Sequence, residues 1–134
     1  MLSKAGYATL IPVKKMSRAV KFYTDKLGAT LVYKGEGDMK DSFAQVRIGK
    51  EDFWLVTPEK WEKRELSYSA FIVKNIKKTV KDLQKNGVKF EPGEKMGEES
   101  KVEGPITSDS FGAEAFFKDS EGNLLMVYKN NPPI

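Results

Sequence analysis

Strand, helix, strand, strand, strand: this order occurs twice along the 134 residues, and the repetition limits the fold more than any single motif does. Residues 7–13 read as a short apolar strand. Met16, Val20, Tyr23 and Leu27 then recur at helical spacing, with Ser17 as N-cap and Gly28 as the stop. A strand over residues 29–33 leads through the loop Gly35-Glu36-Gly37-Asp38 to a hairpin of residues 43–48 and 52–57 around Gly49-Lys50-Glu51. The pattern restarts with a strand at residues 68–73. Ile76, Val80, Leu83 and Gly87 repeat the helical spacing behind Asn75, and residues 88–91 form a short strand. Residues 110–118 and 123–128 close a second hairpin around Asp119-Ser120-Glu121-Gly122.

The copies superpose in sequence. Met16, Val20, Tyr23 and Leu27 map onto Ile76, Val80, Leu83 and Gly87 at an offset of 60, which also carries Ala8 to Val13 onto Tyr68 to Val73. Ala44, Val46 and Ile48 map onto Ala113, Ala115 and Phe117 at an offset of 69. The extra length falls in residues 92–105, where the Gly93 to Gly104 stretch reads as a mobile flap. The expected fold class is therefore α+β, with two βαβββ modules in tandem. Modules 1–57 and 67–130, joined by linker 58–66, make one domain spanning residues 1–134. Each curved mixed sheet packs its helix on the convex face. The two concave faces, related by a rough two-fold, are expected to enclose a pocket.

Composition narrows the chemistry. There is no cysteine and no histidine, which removes disulfides, thiolate chemistry, and the Ser-His-Asp and Cys-His mechanisms. Any metal site would have to use oxygen ligands, suited to Mg, Ca or Mn. The formal net charge is +4, but lysines and glutamates interleave, as in Glu59-Lys60-Trp61-Glu62-Lys63-Arg64-Glu65. That reads as a solvated surface, with nucleic acid not expected as a partner. Lys77, Lys78, Lys81 and Lys85 read the same way. No apolar run reaches a bilayer-spanning length and the start carries no secretory signal, so no membrane partner and a cytoplasmic location are expected.

Two stretches carry a family likeness. Ser17-Arg18-Ala19-Val20-Lys21-Phe22-Tyr23-Thr24-Asp25-Lys26-Leu27-Gly28 resembles the first helix of the vicinal oxygen chelate superfamily, which includes glyoxalase I, bleomycin-resistance proteins and extradiol dioxygenases. Phe116-Phe117-Lys118-Asp119-Ser120-Glu121-Gly122-Asn123-Leu124-Leu125 resembles its closing D-x-x-G-N turn. With the repeat between them, the resemblance covers nearly the whole chain. It implies metal ligands on the first and last strands of each half, which in this sequence fall at Ala8, Trp54, Tyr68 and Met126. None of these is a usual ligand, and slips of one residue reach only Tyr7, Thr9, Phe53, Leu55, Ser67, Ser69, Leu125 and Val127. A slip of two residues adds Asp52. The resemblance is thus to the metal-free, bleomycin-resistance-like branch, with no cofactor and with a homodimer implied.

Alternation sorts the strand faces. Ala44, Val46 and Ile48 suit the helix side, which leaves Phe43, Gln45 and Arg47 for the concave side. Glu114 and Phe116 follow by duplication, and Trp54, Val56, Tyr68, Met126 and Tyr128 complete the expected ligand-binding set. The alternatives are that these side chains fill a closed core, and that Glu114 and Arg47 pair with each other or face solvent. Trp61 is expected to pack on the sheet, and Phe111 to shape a rim. The leading functional expectation is metal-free binding of a small, flat aromatic ligand or drug, sequestering it rather than converting it. Bleomycin itself is a poor fit, because a binder of a cationic glycopeptide would benefit from an acidic cleft and this chain is net basic. The rival is a lyase- or isomerase-type enzyme with Glu114 as base, or with an oxygen-only metal site at Glu114 and Asp52.

Overall fold

The computed structural model describes residues 1–63 and 69–131. The chain divides into two compact units, Met1–Lys63 and Arg64–Ile134. Each unit has the mixed sheet and single packed helix that the repeat implied.

In the first unit, β1 (Leu10–Pro12), β4 (Glu51–Val56), β3 (Phe43–Ile48) and β2 (Thr30–Lys34) lie side by side in that order. β1 runs parallel to β4, and the other pairs are antiparallel. Helix α1 (Met16–Lys21) packs on β3 and β4. Ala44, Val46, Phe53 and Leu55 point at it and are buried, while their strand neighbours are not, as a two-residue side-chain period requires. Ile11, Val13, Met16, Ala19 and Tyr23 complete this core. The Tyr23 and Phe53 rings meet edge to face at 5.6 Å. Full burial of a side chain such as Leu55 contributes about 2 kcal/mol. The last turn of the helix, Phe22–Lys26, widens to π geometry, and Leu27 N–H reaches back to the Phe22 carbonyl. Gly28, at φ 78°, ends it in a conformation that side chains resist.

The second unit orders its strands β5 (Ala70–Ile72), β9 (Leu124–Asn130), β8 (Gly112–Lys118), β7 (Ile106–Asp109) and β6 (Lys101–Glu103). Again the first pair is parallel and the rest antiparallel. Helix α2 (Ile76–Lys85) packs on β8 and β9. It buries Ile76 and Val80 in a core with Val88, Ala115, Phe117, Leu125 and Val127. Asn75 caps it as expected, its side-chain oxygen accepting from the Lys78 N–H at 3.1 Å. The β8–β9 connection is held by buried Asp119. One carboxylate oxygen accepts from the backbone N–H groups of Glu121 and Asn123, and the other from the Asn123 side chain.

Several local expectations need correction. Ser17 is not the N-cap. Lys15 occupies that position with no side-chain hydrogen bond, because the helix begins at Met16. The first strand covers only residues 10–12 of the expected 7–13, since its ladder to β4 ends there and Tyr7 is left exposed. The first strand of the second unit likewise spans residues 70–72 of the expected 68–73, a range that also reaches residues outside those described. Residues 88–91 make an isolated bridge, Phe90 to Phe117, rather than a strand. Pro92 and Gly93 follow at once and break the extended run. The expected flap at residues 93–104 contains β6, paired with β7. The expected strand at 110–118 starts instead at Gly112, because the Asp109 carboxylate accepts from Phe111 and Gly112 N–H groups and turns the chain there.

The repeat also shifts. Leu10 pairs with Trp54 and Ala70 with Met126, which makes Trp54 and Met126 equivalent. Trp54 pairs with Gln45, and Met126 with Phe116. Gln45 therefore corresponds to Phe116, two residues beyond the Glu114 that the offset of 69 assigns. A slip of two residues leaves each side chain on the same face, so the face assignment is unaffected.

Candidate functional site

The face of each sheet turned away from its helix carries the half-exposed aromatic and polar side chains. On the first unit, Phe43 lies opposite Val56, Gln45 opposite Trp54, and Arg47 opposite Asp52. Phe43, Gln45, Arg47, Trp54 and Val56 therefore share one face. Tyr33 of β2 joins them, since it pairs with Gln45. The Tyr33 and Phe43 rings stack, with centroids 5.8 Å apart and planes at 26°, and Phe43 meets Trp54 at 5.4 Å. Three rings thus form a row across β2, β3 and β4, and Tyr33 remains 49% exposed. Sequence reasoning missed Tyr33, because a register irregularity between Leu31 and Tyr33 hides the alternation of β2.

Beside this row lies a closed polar network. Arg47 donates to Asp52 through Nε at 2.7 Å and through a terminal nitrogen at 3.2 Å, and Gln45 donates to the same carboxylate at 2.8 Å. The Arg47 hydrogen bonds hold the Asp52 carboxyl below the usual carboxylate range, and the same contact raises the Arg47 guanidinium. Arg47 therefore pairs with Asp52 within the first unit. The charge on this face is internally balanced. The carboxylate only accepts, so Gln45 turns its amide nitrogen toward it, and its carbonyl oxygen has no donor among the described residues.

On the second unit, Glu114 lies opposite Tyr128 and Phe116 opposite Met126, all four half-buried on the face away from α2. The Tyr128 hydroxyl donates to the Phe111 carbonyl at 3.2 Å, and Asn131 binds the same turn, so the β7–β8 connection is pinned at both ends. Phe111 itself projects from that turn and is exposed. Burial raises the Glu114 carboxyl above its ordinary value, and the nearby Asp109 charge adds to the rise. Tyr68, the remaining expected contact, lies outside the described residues. Trp61 has Lys14 over its ring at 5.9 Å, and its indole N–H is buried without a hydrogen-bond partner among the described residues.

The donors do not fit the divalent metal that the resemblance implies for the metalloenzymes. Ala8 is exposed and precedes β1, Trp54 offers an indole, and Met126 offers a thioether. Among the described residues no three Asp, Glu, His or Cys side chains gather closely enough to hold a cation. Asp52 is committed to Arg47 and Gln45. No helix among them is long and apolar enough to cross a membrane.

Two mixed sheets, each with one parallel edge pair and one helix, define the tandem βαβββ class of fold. The sequence profile described as Glyoxalase/Bleomycin resistance protein/Dioxygenase superfamily matches residues 6–127, and the chain belongs to that superfamily. No curated protein matches it. Among solved structures, a glyoxalase family protein from Enterococcus faecalis is similar at TM-score 0.69 and 20% identity, over 96% of this chain and 99% of that one. TnmS3, an antibiotic binding protein from Streptomyces sp. CB03234, matches at TM-score 0.67 and 18% identity, over 95% and 98%. The genomically encoded fosfomycin resistance protein FosX from Listeria monocytogenes matches at TM-score 0.67 and 12% identity, over 95% and 93%. At such identities the likeness is one of fold.

Proposed function

We propose that this chain is a metal-free binding protein that takes up a flat aromatic molecule and sequesters it. The observation that carries the reading is the row Tyr33–Phe43–Trp54. Half-exposed rings on a rigid sheet offer stacking area at little entropic cost, because the β-ladders already fix the backbone. The Gln45 carbonyl beside them orients a donor on the ligand. The likeness to an antibiotic binding protein is consistent with a natural product as ligand. Isothermal titration of chelator-treated protein against a panel of flat polycyclic natural products tests this. Micromolar or tighter binding by at least one member, weakened about tenfold by Tyr33→Ala with Trp54→Ala, is expected. Failure of the whole panel to bind rejects it. A homodimer and a cytoplasmic location belong to the same reading, and sedimentation equilibrium checks the first.

Glu114 favours a second reading. A half-buried carboxyl raised above its ordinary value is suited to proton abstraction, as in a lyase or isomerase. Turnover of a bound ligand that vanishes in Glu114→Gln while binding persists would select this reading over sequestration.

A further inference from the structure

Several carboxylates have a cation beside them. Asp52 pairs with Arg47, Asp82 with Lys78, Glu91 with Lys118, and Glu103 with Lys77. Glu114 has none among the described residues, although the chain carries an excess of four positive charges. Its position makes this costly. It lies at the middle of the sheet, between Thr107 on β7 and Tyr128 on β9, half-buried among apolar and aromatic neighbours. Thr107 offers it no compensation, because its hydroxyl is occupied with the backbone of Glu94. The Tyr128 hydroxyl is likewise occupied with the Phe111 carbonyl. The charge that acts on Glu114 is Asp109, of the same sign. Around the carboxylate on the same face stand the Tyr128 and Phe116 rings and the Met126 thioether.

We infer that the face formed by Glu114, Phe116, Met126 and Tyr128 recognises a positively charged nitrogen on an aromatic ligand. This deepens the proposed function, on which it rests, by naming the ligand class: flat aromatic cations rather than neutral or anionic aromatics. The chemistry is that of a carboxylate next to π faces. A soft organic cation loses little hydration on entering such a face, gains a charge-assisted contact with Glu114, and is attracted by the ring quadrupoles. A hard metal ion would lack, among the described residues, the additional oxygen donors it needs. The net positive charge of the chain does not oppose this, because charges beyond roughly 10 Å are largely screened at physiological salt, and the field at the face is set by Glu114 and Asp109.

A pair of dyes of one shape tests the inference. N-methylacridinium carries a permanent charge, whereas acridine is neutral at mildly alkaline pH. Their dissociation constants would be measured by fluorescence titration for the natural chain, Glu114→Gln and Glu114→Lys, each checked for folding by circular dichroism. The natural chain should bind the cation about tenfold more tightly than acridine. Glu114→Gln should abolish that preference, and Glu114→Lys should reverse it. Equal affinities in the natural chain, or a preference that survives Glu114→Gln, overturns the inference alone. Failure of both dyes to bind also overturns the inference, and the parent reading falls with it when the natural-product panel fails as well.

Discussion

At the scale of single residues, Glu114 carries a cost that can be measured. Folding raises its pKa, so the folded chain holds this proton to higher pH than the unfolded chain does. The protonated form is therefore the favoured one, and its contribution to stability is lost as pH rises through the folded pKa. Glu114→Gln is uncharged throughout. Thermal unfolding over a pH series should show the variant gaining on the natural chain between acidic and neutral pH, and parallel curves would contradict this. Asp52 has the opposite sign. Its pKa is lowered by Arg47, so its contribution is present at neutral pH and lost on acidification, and exposure of the pair keeps it small. Asn123 is different again, since it is fully buried and tied to Asp119. Asn123→Ala should cost about 1–3 kcal/mol in denaturant unfolding by leaving a buried carboxylate oxygen short of its donor.

At the scale of elements, what the sequence made legible and what it hid divide along physical lines. Alternation placed Ala44, Val46, Ala115 and Phe117 against the helices, because a strand's two faces follow from its own residues. The Asn75 cap and the Gly28 stop were legible for the same local reason. Which strand pairs with which is not local. β6 and β7 lay hidden in a charged stretch rich in Gly and Glu, and they become strands only through the ladder to β8. Tyr33 was hidden by an irregular register that depends on β3. The two-residue error in the repeat offset was invisible because it preserves every face. Gly112 offers a test at this scale. Its φ is 153°, and a Cβ there would run into the Lys129 carbonyl oxygen and crowd the Tyr128 hydroxyl. Gly112→Ala should therefore lower the melting temperature by several degrees, and it should also disturb the face that Tyr128 helps to form.

At the scale of the whole molecule, duplication lets one fold carry sites of different chemistry, and the proposal for this chain is an aromatic binder. Repeating the module brings equivalent strand positions into play twice, and their side chains then decide the chemistry. In this chain the first unit presents rings and an internally balanced Arg47–Asp52 pair, and the second presents rings and a carboxylate with no cation beside it among the described residues. Binding that depends on rings should not depend on metal. The most direct check is a calorimetric titration of one aromatic ligand into chelator-stripped protein, with untreated protein and the Tyr33→Ala, Trp54→Ala double variant in parallel. Equal affinities for stripped and untreated protein, with about a tenfold loss in the variant, are expected. Binding that returns only when a divalent cation is added back, or a double variant that binds as the natural chain does, would contradict the aromatic, metal-free reading.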